Sequence, residues 1–552
     1  MVTIETKYSK LTEAIEKKIS LKELEEVLFD MGLELETIEK DDIKISVTAE
    51  RTDLLSTYGL ARAIRSYIGI KNKPYKITKS NDKLIIKSPL KEWPYSVAAV
   101  VKNLKLDDEK VKEIIRIQEK LGATFLRNRK KGGLGGYPLD KIKFPVTFTS
   151  EEAKKIKFKP LGYDTKINAL EILELHPTGI KYKDVVKNWK NLPIFKDADG
   201  EIMSMPPIVN SDELGKVNEK TTGLFIEVSG IDQNAINITL NVITCALIDM
   251  GGEAYSLEVI NGSNKTISPA LKEEKRSIKL DYVNKILGTN FKSNEVKKYL
   301  EKMDYVVEKT ETNEVSFLVP ATRSDIWHDV DIVDDIARAH GFNNFELSLK
   351  PIDGIGGTTR EVKLKETISS LLVGLGYQEM FTLILSSKQD QFDKMGLKDQ
   401  KHVALGNSVE EGLNMPRKWL TPELLKCLKS NRSVEYPQNI FEINQVITLD
   451  ETRDVKSRDL LKLCVMLTSR NVTFTAIKQV LDFLFNSLDL NYEIEQLTHP
   501  SFIQGRAGKI SVNNQEIGII GEIHPVILNN FELENPVSSL EIDLTELLKN
   551  LK

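Results

Sequence analysis

The chain has 552 residues, 41% apolar and 29% charged, and its 77 Lys and Arg against 81 Asp and Glu leave a net charge of −4. That length is too great for one hydrophobic core and implies about four domains. The near-neutral balance excludes the global basic field of an autonomous nucleic-acid binder, though not a local patch. Cys245, Cys427 and Cys464 lie too far apart for a metal knuckle or a disulfide framework. The opening Met-Val-Thr-Ile-Glu-Thr-Lys lacks the apolar core of a signal peptide, and no window reaches about 18 uninterrupted apolar residues. A cytoplasmic, reducing setting without membrane spans is expected.

Residues 1–85 read as a small α+β domain. Apolar spacing predicts a helix over 22–33, closing on Gly32. A strand over 43–47 follows, then Thr48-Ala-Glu-Arg-Thr-Asp-Leu-Leu55 leads into a second helix through Tyr67. Arg51 beside Asp53 could grip a phosphate; the spacing favours a local ion pair at a helix start. Turn residues at Lys71-Asn-Lys-Pro74 and a strand over 96–101 place a boundary near 85.

Residues 86–265 alternate elements, with helices over 111–121 and 236–250 and strands over 167–173 and 224–228, which implies a mixed α/β domain. Within it, Lys130-Lys-Gly-Gly-Leu-Gly-Gly-Tyr137 resembles a phosphate cradle but lacks the Lys-Ser/Thr ending of a P-loop. With Arg127, Arg129, Lys130 and Lys131 beside it, the run reads as a solvated basic loop.

Residues 266–345 give a strand over 277–280, helices over 282–287 and 293–303, and a hairpin of 305–307 with 315–319, the element order of a winged-helix domain. Residues 346–552 read as an α+β domain: a helix over 362–375, a β-rich stretch over 381–385, and strands over 441–447, 463–467, 510–512 and 517–520 in an antiparallel sheet. No internal repeat stands out in the residue pattern.

The densest chemical signal is Arg323-Ser-Asp-Ile-Trp-His-Asp-Val-Asp-Ile-Val-Asp-Asp-Ile-Ala-Arg-Ala-His-Gly341. Asp331, Asp334 and Asp335 fall at i, i+3 and i+4 on one helix face, and Asp325 can fold back beside them. Repulsion among like charges there invites a hard cation with oxygen ligands, most plausibly Mg²⁺. The competing reading is an acidic first turn that favours the helix dipole, screened by Arg338. His328 does not belong to an all-oxygen ligand set.

The run from Thr322 to Asn344 resembles the metal-site domain of the beta subunit of phenylalanyl-tRNA synthetase, of the archaeal and eukaryotic type. Thr48 to Leu55 with Gly59-Leu-Ala-Arg62 is similar to that subunit's N-terminal signature. Met203-Ser-Met-Pro-Pro-Ile-Val-Asn-Ser211 with Phe225-Ile-Glu-Val-Ser-Gly230 resembles its editing module. His499-Pro-Ser-Phe-Ile-Gln-Gly-Arg506 with Ile517-Gly-Ile-Ile-Gly-Glu-Ile-His-Pro525 resembles its C-terminal catalytic-like domain.

The resemblance implies a partner, the catalytic alpha subunit, in an α₂β₂ assembly that attaches phenylalanine to its tRNA using ATP. It implies domains at 1–85 (N-terminal), 86–265 (editing), 266–345 (winged-helix-like with a metal site) and 346–552, a class II synthetase-like sheet domain without an active site. Arg417 and Arg506 are the nearest candidates for an ATP grip in that last domain, and both read as surface or interface residues. The family's Mg²⁺ carboxylates map to Asp325, Asp331, Asp334 and Asp335. The family's clearing of tRNA mischarged with tyrosine maps to Glu227, as acceptor for the tyrosine hydroxyl, and to Ser204 and Asn210 on a polar wall; turn chemistry and an exposed strand position are the alternatives. One departure stands out: Gly135-Gly-Tyr-Pro138 occupies the place of a Gly-x-His-Asp stretch. A free-standing deacylase, a Mg²⁺-dependent phosphate-ester enzyme and a non-editing scaffold are competing readings.

Overall fold

The computed structural model describes residues 2–347 and 354–551, and the chain divides into two compact units, Met1–Ser348 and Leu349–Lys552.

The first unit begins with β1 (Val2–Lys7), α1 (Tyr8–Ile15), α2 (Leu21–Asp30), β2 (Glu34–Glu39), β3 (Asp42–Val47) and α3 (Thr57–Tyr67). Ser20 and Glu23 form a reciprocal capping box that starts α2, and Leu24 and Leu28 bury its inner face. The chain leaves α2 through Gly32 at φ 73°, a left-handed turn that suits glycine. The three strands pair in the order β1-β3-β2.

A ten-stranded sheet follows. It contains β4 (Ile77–Ile86), β5 (Tyr95–Lys102), β6 (Gly132–Pro138) and β7 (Val146–Glu152), then, past a two-strand ribbon of β8 (Lys157–Phe158) with β9 (Ile167–Asn168), β10 (Asn191–Lys196), β11 (Ile202–Met205), β12 (Val209–Asn210), β13 (Leu224–Gly230), β14 (Glu253–Asn261) and β15 (Asn264–Ser268). The order is β12-β11-β10-β7-β4-β14-β5-β13-β6, with β15 on β14. Because β4 belongs to this sheet, the break expected near 85 falls inside a strand, and the turn at 71–74 marks the change of layer. Side chains of β5 and β13 alternate between two cores. Val97, Ala99, Val101, Ile226 and Val228 pack under α4 (Asp108–Ala123) and α8 (Gln233–Asp249). Ala98, Val100, Phe225 and Tyr137 form the core on the other face.

Two expectations fail here. The strand expected over 167–173 stops after Ile167 and Asn168: Asn168 and Glu171 build a capping box, and α5 (Ala169–Leu175) starts there despite its apolar residues. The Gly132–Pro138 run is not a solvated loop: it is β6, paired residue for residue with β13. Its glycines permit close approach, since a Cβ on Gly133 would sit 3.0 Å from Pro207.

The unit ends with β16 (Glu274–Lys279), α9 (Leu280–Leu287), α10 (Ser293–Lys302), β17 (Val306–Thr310), β18 (Glu314–Val319) and α11 (Asp329–His340). The element order β-α-α-β-β-α and the strand order β16-β18-β17 repeat those of the first module. In each module the last strand reaches the last helix through a matching turn, Ala49-Glu-Arg-Thr-Asp53 and Ala321-Thr-Arg-Ser-Asp325. The chain therefore contains an internal repeat that its residue pattern concealed. The two turns clasp each other: Thr52 Oγ1 donates to Thr322 O at 3.0 Å, and Ser324 Oγ donates to Glu50 O at 2.8 Å. The helices reciprocate, with Arg62 donating to Asp304 at 2.9 Å and Arg338 to Met31 O at 2.8 Å.

The second unit carries α12 (Arg360–Gly374), β19 (Gln378–Glu379), β20 (Leu385–Ser386), β21 (Met415–Pro416), β22 (Gln438–Leu449), β23 (Ser457–Thr468), β24 (Glu493–Gln496), β25 (Phe502–Val512), β26 (Gln515–Ile523) and β27 (Val537–Asp543). Seven strands form one sheet in the order β19-β22-β23-β27-β26-β25-β24, antiparallel except at β19–β22. Leu364, Ile368, Ile477 and Leu481 cover one face, and Leu424, Leu428 and Ile527 the other. The β-rich stretch expected at 381–385 shrinks to β20, because Phe381 and Leu383 are exposed and pair with no strand. Among the described residues no helix is long and apolar enough to cross a membrane.

Candidate functional site

Sheet register assembles the first site. Glu227 on β13 pairs with Gly135 on β6, and Phe225 pairs with Tyr137. Residues two apart share a face, so Tyr137, Gly135 and Glu227 point to the same side. Gly135 leaves open the space its neighbours need: a Cβ there would lie 2.5 Å from the Tyr137 hydroxyl and 2.7 Å from Glu227 Oε1. The Tyr137 ring leans across that gap, and its hydroxyl lies 3.2 Å from Glu227 Oε1 and 3.4 Å from Asn210 Oδ1. Asn210 sits on β12, opposite Ser204 on β11.

Strands β6 and β12 are the two ends of the ten-stranded order, yet they meet here. Arg129 holds the ends together, donating to Pro207 O at 2.8 Å and Ile208 O at 3.1 Å while its guanidinium stacks on Tyr182. Burial lowers its pKa. Arg129 therefore fastens the fold and is not part of a solvated basic patch; Lys131 likewise pairs with Asp232 at 3.1 Å.

The cluster of Tyr137, Glu227, Ser204 and Asn210 is polar inside an apolar shell. Glu227 is 1% exposed and Tyr137 fully buried, so Glu227 does not occupy the exposed strand position that sequence left open. Burial pushes the Glu227 carboxyl up to about 8, with the Tyr137 hydroxyl only partly opposing the rise. Burial, then the neighbouring Glu227 charge, holds the Tyr137 phenol well above its ordinary value. Glu227 Oε2 and Ser204 Oγ are buried without a hydrogen-bond partner among the described residues. Such orphaned atoms are costly in a folded protein and mark a place where water or a ligand belongs. The structure thus brings Glu227, Ser204 and Asn210 together and adds Tyr137. Sequence flagged Tyr137 only as a departure from a family pattern; the signal for its contact was its spacing from Gly135, which needs the β13 register to be read.

The aspartates are not gathered. Arg323, buried in its turn, donates from Nε and Nη2 to Asp325 at 2.8 and 2.6 Å and from Nη2 to Asp335 at 2.8 Å. The Tyr305 hydroxyl donates to the same Asp335 oxygen at 2.5 Å. Burial opposes the charge on Arg323, but Asp335, Tyr305 and Asp325 outweigh it and hold its pKa well above the usual arginine value. Asp331 accepts from the Trp327 and His328 backbone N–H groups at 2.8 and 2.7 Å, capping α11. Asp334 accepts from Arg338 at 2.7 Å, one turn on. Asp325 and Asp335 share Arg323, Asp331 and Asp334 each serve another protein partner, and no group of three His, Cys, Asp or Glu side chains suited to a metal occurs among the described residues. As arranged, Asp325, Asp331, Asp334 and Asp335 do not fit a shared Mg²⁺. The other turn repeats the motif in reduced form, with Arg51 donating to both oxygens of Asp53 at 2.9 and 2.8 Å.

In the second unit, Arg417 is neither a surface nor an interface residue. It is fully buried and donates to Gln445 O at 2.9 Å, Thr382 Oγ1 at 2.8 Å and Glu442 Oε1 at 2.9 Å. Its counter-ion Glu442 is equally buried, which makes the pair part of the core. Arg506 is exposed and donates to Glu522 at 2.7 Å.

Comparison with known proteins agrees with this architecture. Residues 1–70 match the Phe-tRNA synthetase beta subunit B1 domain, residues 276–342 the tRNA synthetase B5 domain, and residues 348–544 the phenylalanyl tRNA synthetase beta chain CLM domain. The phenylalanine–tRNA ligase beta subunit of Pyrococcus abyssi is 37% identical over 548 residues, covering 98% of each chain. That of Methanocaldococcus jannaschii is 35% identical over 551 residues, covering 99% of this chain and 100% of its own. The crystal structure of an N-terminal fragment of the Pyrococcus horikoshii beta subunit covers 61% of this chain with a TM-score of 0.59 and 33% identity. Identity of this order, held from end to end of both chains, means that the chain belongs to the phenylalanine–tRNA ligase beta subunit family.

Proposed function

We propose that the chain works beside a catalytic alpha subunit, in an α₂β₂ cytoplasmic assembly that charges tRNA with phenylalanine. Alpha binds ATP with its accompanying Mg²⁺ and performs both activation and transfer. The state of the two arginines supports this division of labour. Arg417 is bound to buried Glu442 and is not free to hold a triphosphate, which leaves exposed Arg506, paired with Glu522, without a second arginine for such a grip.

The pocket of Glu227, Ser204 and Asn210 then serves to receive a tyrosyl group wrongly attached to the tRNA. The carrying observation is the pair of orphaned buried oxygens, Glu227 Oε2 and Ser204 Oγ, at one polar point in an apolar core. A site that must hydrogen-bond a hydroxyl discriminates strongly against a substrate lacking it, so phenylalanine is spared. In the hydrolysis, water adds to the ester carbonyl, and the ribose oxygen leaves carrying a proton. The side chains here supply recognition and orientation. Co-expression with alpha tests the first statement: a stable complex whose phenylalanylation needs this chain is expected, and its absence overturns the reading. Release of tyrosine from mischarged tRNA by that complex, lost in Glu227→Ala, tests the second. A non-editing scaffold is favoured by one observation, namely that Tyr137 already engages Glu227.

A further inference from the structure

We propose that Tyr137 is a built-in competitor for the tyrosyl-binding position, its own phenol filling the Glu227 end of the pocket until the side chain swings out. The inference rests on reading that pocket as the receiver of a mischarged tyrosyl group. Three observations carry it. The occupant has the chemistry of the ligand, a phenol whose hydroxyl lies 3.2 Å from Glu227 Oε1. The backbone is built to admit it, because a Cβ on Gly135 would collide with both the Tyr137 hydroxyl and Glu227 Oε1. The rest of the pocket is left unsatisfied: Glu227 Oε2 and Ser204 Oγ have no partner while Tyr137 is in place.

The ring is a secure plug. It is fully buried among Phe225, Val100 and Met203, with its centroid 6.0 Å from that of Phe225. A ligand that binds only the open form has its apparent affinity reduced by the fraction of time the form is open. Tyr137 is therefore a residue that sets how fast mischarged tRNA is cleared, by occupying the site.

The test uses the full chain in complex with its alpha subunit. Tyr137→Gly vacates the position; clearance of tyrosyl-tRNA rises about tenfold or more over wild type if closure limits the reaction. Tyr137→Phe keeps the ring but loses the hydroxyl contact with Glu227, and its clearance falls between those of wild type and Tyr137→Gly. Free p-cresol, a copy of the removed side chain, raises the melting temperature of Tyr137→Gly, slows its clearance of tyrosyl-tRNA, and does both better than toluene. Tyr137→Ser replaces the glycine variant if the latter does not fold. An active wild type that Tyr137→Gly fails to accelerate overturns the proposal, as does p-cresol binding no better than toluene. If no variant clears tyrosyl-tRNA but p-cresol still stabilises Tyr137→Gly in preference to toluene, the editing assignment falls and the occupancy stands.

Discussion

Carboxylates held at two places in the same unit, a pair and a single group, have opposite electrostatic fates. Asp325 and Asp335 share the guanidinium of Arg323. Burial works to raise the Asp325 pKa, but the hydrogen bonds and charge of Arg323 more than offset it, and the group titrates below its ordinary value. Glu227 is more deeply buried, gains only a phenol as partner, and is pushed up to about 8. A carboxylate given a fixed cation is a structural member; one denied a cation stays poised to exchange partners. By this contrast the Asp cluster, the loudest signal in the sequence, braces the second module internally, while a single unobtrusive Glu on a strand marks the proposed site.

The contrast can be broken most directly at Arg323. Removing one member of a buried ion pair costs about 3–5 kcal/mol, because the partner stays buried and unpaired. Arg323→Met therefore lowers stability by about that amount in chemical denaturation of the chain. An effect below about 1 kcal/mol would show the cluster to be no more than a surface pair.

At Glu227 the effect depends on pH. Its folded pKa, about 8, lies above the ordinary 4.5, so the folded state retains a proton that the unfolded chain has released. The stabilisation is complete below about 4.5 and is lost as pH rises to about 8. Glu227→Gln removes that dependence, so denaturation across this range should show wild type weakening relative to the variant as pH increases. Parallel curves would mean that Glu227 is ionised throughout.

The smallest effect is expected at Asp334, whose side chain is half exposed beside Arg338. Asp334→Asn costs about 0–1 kcal/mol. Because all four aspartates are already engaged, two by Arg323 and the others by Arg338 and backbone N–H groups, adding Mg²⁺ to the chain leaves the melting temperature of wild type and variant unchanged. A rise in wild type alone would show that the carboxylates regroup around the ion.

Much of this was legible one residue at a time. Gly32 after α2 marked a helix end through local chemistry, and the strand over 96–101 fell on β5. Local signals also misled. Ile167 to Leu173 had apolar residues suited to a strand, and the capping box at Asn168 decided for helix. The glycine run read as a loop because glycine is poor in strands; in β6 its absent side chains are what admit Tyr137 and Pro207.

The sequence by itself determined the family resemblance, the positions of Glu227, Ser204 and Asn210, and the acidic face of α11. Those rest on residue identity and near-neighbour spacing. Only the tertiary structure decided that Arg323 takes up two of the aspartates, that the Arg51 and Arg323 turns belong to repeated modules, and that Tyr137 fills the pocket. The last two depend on which strands pair and which residues meet across about 90 to 270 positions of chain; the first depends on the turn folding Arg323 back onto a helix 12 positions on, and local spacing carries none of this.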